Sequence, residues 1–195
     1  GNYMVNVKGK QLDYAIKRIS GKGLSDKVNL KLQDYRDETG IYDGVASIEM
    51  FEAVGEKYWP IYFNKVKQCL KPGKQATLQI ITIQDARWEV YRKGVDFIQK
   101  YIFPGGMLPS PTVLRQEVAK AGLSVQHSIE FGKSYSQTLR RWFEVFNDQW
   151  DTISDMGFDD RFRRMWNFYL TSCAATFESG NCDVTQITLR NPELN

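Results

Sequence analysis

The groups able to do chemistry in this sequence fall in three short stretches. Glu49 and Glu52 stand three residues apart around the apolar Met50 and Phe51. If a helix begins there, the two carboxylates share a side, and a carboxylate beside apolar neighbours is desolvated, which suits it to base chemistry. The same pair equally suits a helix amino terminus, where the dipole favours negative charge by about 0.3–1 kcal/mol. Asp34-Tyr35-Arg36 puts an aromatic ring between two charges. It can stack on and hydrogen-bond a nucleoside, and it serves equally as a solvated turn. The third stretch runs from Gln79 through Ile81 to Thr82. His127, the single histidine, has no obvious partner and reads as a sheet residue. Cys69, Cys173 and Cys182 are odd in number and lack C-x-x-C spacing, which argues against a disulfide framework or structural zinc and for packing roles. No Ser-His or Cys-His pair sits in a recognisable nucleophile motif, so classical hydrolase chemistry is not expected.

The elements that must position these groups alternate along the chain. A β-prone start over residues 3–7 leads into a helix over 11–19, where Leu12, Ala15, Ile16 and Ile19 repeat at helical spacing and Gly21 and Gly23 stop it. Strands follow over 28–32 and 42–48, then a helix over 58–70 stopped by Lys71-Pro72-Gly73. The longest apolar, β-branched run, 76–83, reads as a central strand. After an aromatic insertion over 97–109, Ser110 and Pro111 occupy the N-cap and first-turn positions of a helix to about 121. A strand over 123–129, helices over 137–150 and 159–177, and a final strand over 184–189 complete the pattern. This is an α/β chain with a largely parallel sheet, and such sheets bind ligands at the carboxyl ends of their strands. The three reactive stretches follow the three middle strands.

Composition narrows the field. The 195 residues fit one domain, and 42% apolar with 13% aromatic content is enough for a core. A net charge of +3 is far from that of a dedicated nucleic-acid binder. No apolar run approaches the ~20 residues that cross a bilayer, and no secretory leader is recognisable. The expectation is a protein of the reducing cytoplasm, soluble or peripheral at a membrane. The insertion carrying Phe97, Tyr101, Ile102, Phe103, Met107 and Leu108 suggests an acyl-chain channel or membrane-facing lid, or else packing against the late helices. Arg140, Arg141, Arg161, Arg163 and Arg164 can meet lipid phosphates or pair with Glu144, Asp159 and Asp160.

Longer segments carry a family likeness. Ser47-Ile-Glu-Met-Phe-Glu-Ala-Val-Gly-Glu-Lys-Tyr-Trp59 with Leu70-Lys-Pro-Gly73, then Lys100-Tyr-Ile-Phe-Pro-Gly-Gly-Met-Leu-Pro-Ser110, Thr138-Leu-Arg-Arg-Trp142 and Arg161-Phe-Arg-Arg-Met-Trp-Asn-Phe-Tyr-Leu170 together resemble the cyclopropane-fatty-acyl-phospholipid synthases, in the same order. The resemblance implies a single Rossmann-like methyltransferase domain over 1–195 with an antiparallel last strand and substrate-side helical additions at 85–110 and 134–179. It further implies S-adenosylmethionine as methyl donor, bicarbonate as the base, no metal, and unsaturated phospholipid acyl chains at the membrane surface as substrate, with no nucleic-acid partner. Glu52, Gln79, Ile81 and Phe143 fall at its catalytic positions. Gln11, Asp34, Tyr35, Arg36 and Glu49 fall on the cofactor side.

Two positions depart from the pattern. Gln79 stands where many members have histidine and cannot carry positive charge; Phe143 stands where they have tyrosine and lacks the phenol. A methyl-branched or methylene product, or a non-catalytic acyl-binding module, is therefore an alternative to cyclopropanation. The family also places a first strand, a glycine-rich turn and an earlier cysteine before the part matched here. The expectation is a cofactor pocket holding only part of its ligand, and an open sheet edge inviting a homodimer or a domain swap.

Overall fold

The computed structural model describes the backbone of residues 2–6 and 9–193 and the side chains of 11–193. Its contacts divide the chain into two compact units, Gly1–Tyr42 and Asp43–Asn195.

In the first unit, β1 (Asn2–Asn6) and β2 (Val28–Leu32) pair in parallel, from Asn2 opposite Val28 to Asn6 opposite Leu32. Parallel neighbours need a crossover, supplied by α1 (Gly9–Gly21). Leu12, Ala15 and Ile19 are half-buried, while the intervening Gln11, Asp13 and Lys17 are exposed. The helix closes where Gly23 takes φ 64° and Leu24 N–H donates to Ile19 O at 3.1 Å. Val7, the last residue expected in the opening strand, lies outside the described residues.

The second unit holds a four-stranded sheet in the order β3 (Tyr42–Ile48), β4 (Leu70–Ile83), β6 (Cys182–Arg190), β5 (Ser124–Glu130). The last strand to form along the chain, β6, inserts antiparallel between β4 and β5, which are consequently parallel to each other. Between strands run α2 (Trp59–Gln68), α3 (Asp85–Tyr91), α4 (Phe97–Tyr101), α5 (Pro111–Lys120), α6 (Gly132–Asp148), α7 (Trp150–Asp155) and α8 (Asp160–Glu178). Strand alternation sends Ala76, Leu78 and Ile80 to one face, all fully buried, and Gln79 and Ile81 to the other. On one side lie Phe51, Trp59, Tyr62 and Phe63, with the Phe51 ring 5.1 Å from Trp59 and 5.2 Å from Phe63. On the other, Leu139 of α6, Leu170, Ala174 and Phe177 of α8 and Val184 of β6 form a core with Ile81 packed against it.

Local sequence rules hold where the signal is local. Ser110 caps α5 at Val113 N–H and Pro111 opens it; Asp159 caps α8 at Phe162 N–H; Asp96 and Gln99 close a capping box on α4. They yield where a distant partner intervenes. The Lys71-Pro72-Gly73 stop is also the start of β4, because Gly73 N–H donates to Asn191 O at 2.8 Å and Asn191 Nδ2 donates to Leu70 O at 2.9 Å. Helix α6 starts at Gly132 rather than near 137, because the Asp183 carboxylate accepts from Gly132 N–H at 2.7 Å.

Candidate active site

The site is built where β3 stops. Glu49 N–H makes the last rung to Gln79 O at 2.9 Å, and the chain then turns away into a short 3-10 turn, Phe51–Ala53. Beyond this rung the neighbouring strand has a spare donor, Ile81 N–H, and the Glu52 carboxylate takes it at 2.6 Å. Glu52 O in turn accepts from Met107 N–H at 2.9 Å, which ties the Phe97–Pro109 segment to the same point. The two glutamates therefore do not share a helix face. Glu49 sits at the strand end and Glu52 in the turn.

Glu49 is the one non-glycine residue with positive φ, 49°, among the described residues. A left-handed glutamate is strained by about 1–3 kcal/mol and persists only where its surroundings hold it. They do: Tyr135 of α6 donates its hydroxyl to Glu49 Oε1 at 2.5 Å, and Gln79 Nε2 donates to the same oxygen at 2.7 Å. Glu49 Oε2 has no hydrogen bond among the described residues. Gln79 is held from behind by Gln186 of β6, whose Nε2 donates to Gln79 Oε1 at 2.8 Å.

Burial pushes the Glu52 carboxyl up to about 7, the nearby Glu49 charge adding to the effect and the Ile81 N–H opposing it. Its Oε2 is buried with no hydrogen-bond partner among the described residues, the position an acid proton would occupy. Burial likewise raises Tyr135, reinforced by Glu49, and raises Tyr169 to about 12 and Cys173 to about 12. These groups stay protonated at neutral pH, so Tyr135 donates and the thiol is inert.

Of the residues singled out in the sequence, Glu49, Glu52, Gln79 and Ile81 come together here. Ile81 contributes its backbone N–H to Glu52 and its side chain to the core. Phe143 packs in the seam between α6 and α8; the phenol that reaches Glu49 comes from Tyr135, about two turns earlier on the same helix. Tyr135 was not found by sequence reasoning, because the helix was expected to begin after it. Its signal was the apolar stripe Tyr135, Leu139, Phe143, on which it is the polar member. Gln186 was also missed; a glutamine inside an apolar strand was its only sign.

Gln11, Asp34, Tyr35 and Arg36 belong to the first unit. Asp34 accepts from Arg36 through its backbone N–H at 2.9 Å, Nε at 3.0 Å and an Nη at 2.7 Å, and this pairing holds its carboxyl down at about 2. His127 lies on β5 opposite Thr188. In the aromatic insertion, Phe97 stands edge-on to Phe168 at 4.7 Å and Phe103 to Tyr169 at 6.2 Å, so it packs on α8 while Tyr101, Phe103 and Phe168 stay about half exposed. Arg163 is held by Asn147 at 3.1 Å and lies over Trp150 rather than pairing with an acid. No helix among the described residues is long and apolar enough to cross a membrane.

Comparison with known proteins gives this geometry its context. The chain is 40% identical over 186 residues to the tuberculostearic acid methyltransferase UfaA1 of Mycobacterium tuberculosis, covering 95% of this chain and 44% of that protein. It is 34% identical over 190 residues to the cyclopropane-fatty-acyl-phospholipid synthase of Escherichia coli, covering 95% and 47%. It thus spans about half the length of the curated relatives it matches. Its fold superposes on the mycolic acid cyclopropane synthase CmaA1, solved in complex with SAH and CTAB, with a TM-score of 0.87 at 21% identity, over 96% of this chain and 68% of that one. This makes the architecture that of a Rossmann-like methyltransferase. The family profile described as mycolic acid cyclopropane synthetase matches residues 3–187, and the chain belongs to that family.

Proposed function

We propose that this protein transfers a one-carbon unit from S-adenosylmethionine to the double bond of an unsaturated phospholipid acyl chain, with Glu49 removing the proton that completes the reaction. The observation that carries this reading is the Glu49 carboxylate, strained into the left-handed region and fixed by Tyr135 and Gln79, with its second oxygen uncommitted. The relatives named for fatty-acid methyl transfer and cyclopropane synthesis, and the related fold that holds SAH, support the reaction class.

Gln11, Asp34, Tyr35 and Arg36 are the residues that would hold the methyl donor. The Asp34 side chain, 39% exposed, is an ionised acceptor of the kind a ribose takes. S-adenosylmethionine supplies an electrophilic methyl group on a sulfonium. Attack of the alkene's π electrons on that methyl would break its bond to sulfur, with S-adenosylhomocysteine leaving with the pair, and would leave a carbocation on the acyl chain. Glu49 Oε2 then accepts a proton. If the proton leaves the added carbon, its C–H electrons close a cyclopropane; if a hydride shift comes first, they form a methylene group. A saturated methyl branch needs a further reductant. Glu52, whose carboxyl burial pushes up to about 7, accepts from Ile81 N–H and makes no hydrogen bond to Glu49.

The Tyr135 hydroxyl and one N–H of the Gln79 amide already donate to Glu49 Oε1, so a carboxylate of the chain itself takes donors that a bicarbonate would use. The acyl-binding module rests on the missing glycine-rich turn and on the loss of a histidine and a phenol; against the last of these, Tyr135 supplies a phenol at Glu49, which favours the enzyme.

The test uses the full-length protein in bicarbonate-depleted buffer with methyl-labelled S-adenosylmethionine and vesicles of a monounsaturated phospholipid. The wild type incorporates label into the acyl chains. Glu49→Gln, which keeps shape and removes the base, lowers the rate by about 10²–10⁴-fold. Undiminished transfer by Glu49→Gln, or a wild type that works only with added bicarbonate, overturns the assignment.

A further inference from the structure

We propose that Gln186 is a positioning residue that sets which end of the Gln79 amide faces Glu49; this rests on the reading of Glu49 as the base. A glutamine side chain carries an acceptor and a donor on opposite sides of one planar group, and rotation about its last bond exchanges them. Only one orientation is useful here. With the NH₂ toward Glu49, the carboxylate gains a second donor beside the Tyr135 hydroxyl. With the carbonyl toward it, an acceptor faces an acceptor.

The fold decides between the two from the far side. Gln79 and Gln186 are directly opposite on the antiparallel strands β4 and β6, so their side chains lie on one face at close range. The same row continues with Thr77 opposite Thr188, whose hydroxyls are 3.1 Å apart, and with Ile81 opposite Val184. In this row Gln186 Nε2 donates to Gln79 Oε1 at 2.8 Å, holding the carbonyl toward β6 and so turning Nε2 toward Glu49 at 2.7 Å. Both glutamines are part-buried, where an unpaired amide group is costly and the preference is correspondingly firm. Gln186 makes no hydrogen bond to Glu49. It acts through Gln79.

The experiment is a double-mutant cycle on the full-length protein, paired with NMR of the Gln79 side-chain amide. Gln186→Met keeps the length of the side chain and removes the donor. It is expected to lower kcat for transfer to the lipid by about tenfold with the lipid KM unchanged, and to move the Gln79 amide resonances. In a Gln79→Met background the same substitution should change kcat by less than about twofold, because nothing remains to orient. If Gln186→Met fails to fold, Gln186→Glu, the same shape without the donor, replaces it. An equal loss of kcat in both backgrounds would mean that Gln186 only packs, and unchanged Gln79 amide resonances would mean that it orients nothing. The NMR arm needs no turnover, so it decides the hydrogen-bond chain even if Glu49→Gln shows that the base lies elsewhere.

Discussion

Two glutamates three residues apart sit in different surroundings, and the difference lies in what each one meets. Glu49 is met by two donors on one oxygen, whereas Glu52 is met by one backbone N–H on one oxygen and has the other buried without a partner among the described residues. Burial raises Glu52 from the ordinary 4.5 to about 7, so in the folded state it keeps its proton over a range where the unfolded chain has lost it. Between those values the folded state binds more protons, and stability falls as pH rises from about 4.5 to about 7, then levels. The whole effect is on the order of 3 kcal/mol, from ~1.4 kcal/mol per unit of pKa. Glu52→Gln should remove that slope. Chemical denaturation at pH 5 and pH 8 is expected to give nearly equal stabilities for the variant and a lower one at pH 8 for the wild type. A wild type equally stable at both would contradict the buried, protonated carboxyl. The sequence marked both glutamates as candidates. It could not assign their partners, since Gln79 and Tyr135, which hold Glu49, lie 30 and 86 residues away.

At the scale of elements, the register of α6 decides whether Tyr135 reaches the site. Spacing places a helix over 137–150, yet the helix begins at Gly132 because Asp183 accepts from Gly132 N–H at 2.7 Å and from Val184 N–H at 2.8 Å. That cap comes from β6, 51 residues away, and no local pattern announces it. Gly132 is required there, since a Cβ would sit 2.7 Å from Asp183 Oδ1. Asp159 makes a comparable cap on α8, which carries no group bonded to Glu49. Loss of either cap costs about 1 kcal/mol and lowers the Tm by roughly 2–4 °C in a chain of this size. Asp183→Ala should in addition lower kcat, because Tyr135 lies in the first turn it releases, while Asp159→Ala should leave kcat near the wild-type value. Thermal melts beside initial rates separate the two; unchanged kcat in Asp183→Ala would argue that the helix start does not matter to Tyr135. Where caps are local, as at Ser110, Asp159 and Asp96, the sequence alone places the helix ends closely.

For the molecule as a whole, the alternating pattern of strands and helices was readable because each element's period is written in its own residues. The four-stranded order, with β6 inserted between β4 and β5, follows from pairings such as Gln79 with Gln186 that periodicity does not reveal. The same limit explains the site. Its acidic half lies in one contiguous motif, Ser47 to Trp59, and was legible, while its orienting half, Tyr135 and Gln186, is scattered over α6 and β6. Membership of the mycolic acid cyclopropane synthetase family supports the proposal that the full-length protein transfers a one-carbon unit onto a lipid. Mass spectrometry of membrane lipids from cells making the full-length protein, fed methyl-labelled methionine, tests that proposal most directly. The account predicts unsaturated acyl chains heavier by one methylene unit that carries the label, with saturated chains untouched. Acyl chains of unchanged mass, or label confined to protein or small metabolites, would contradict it.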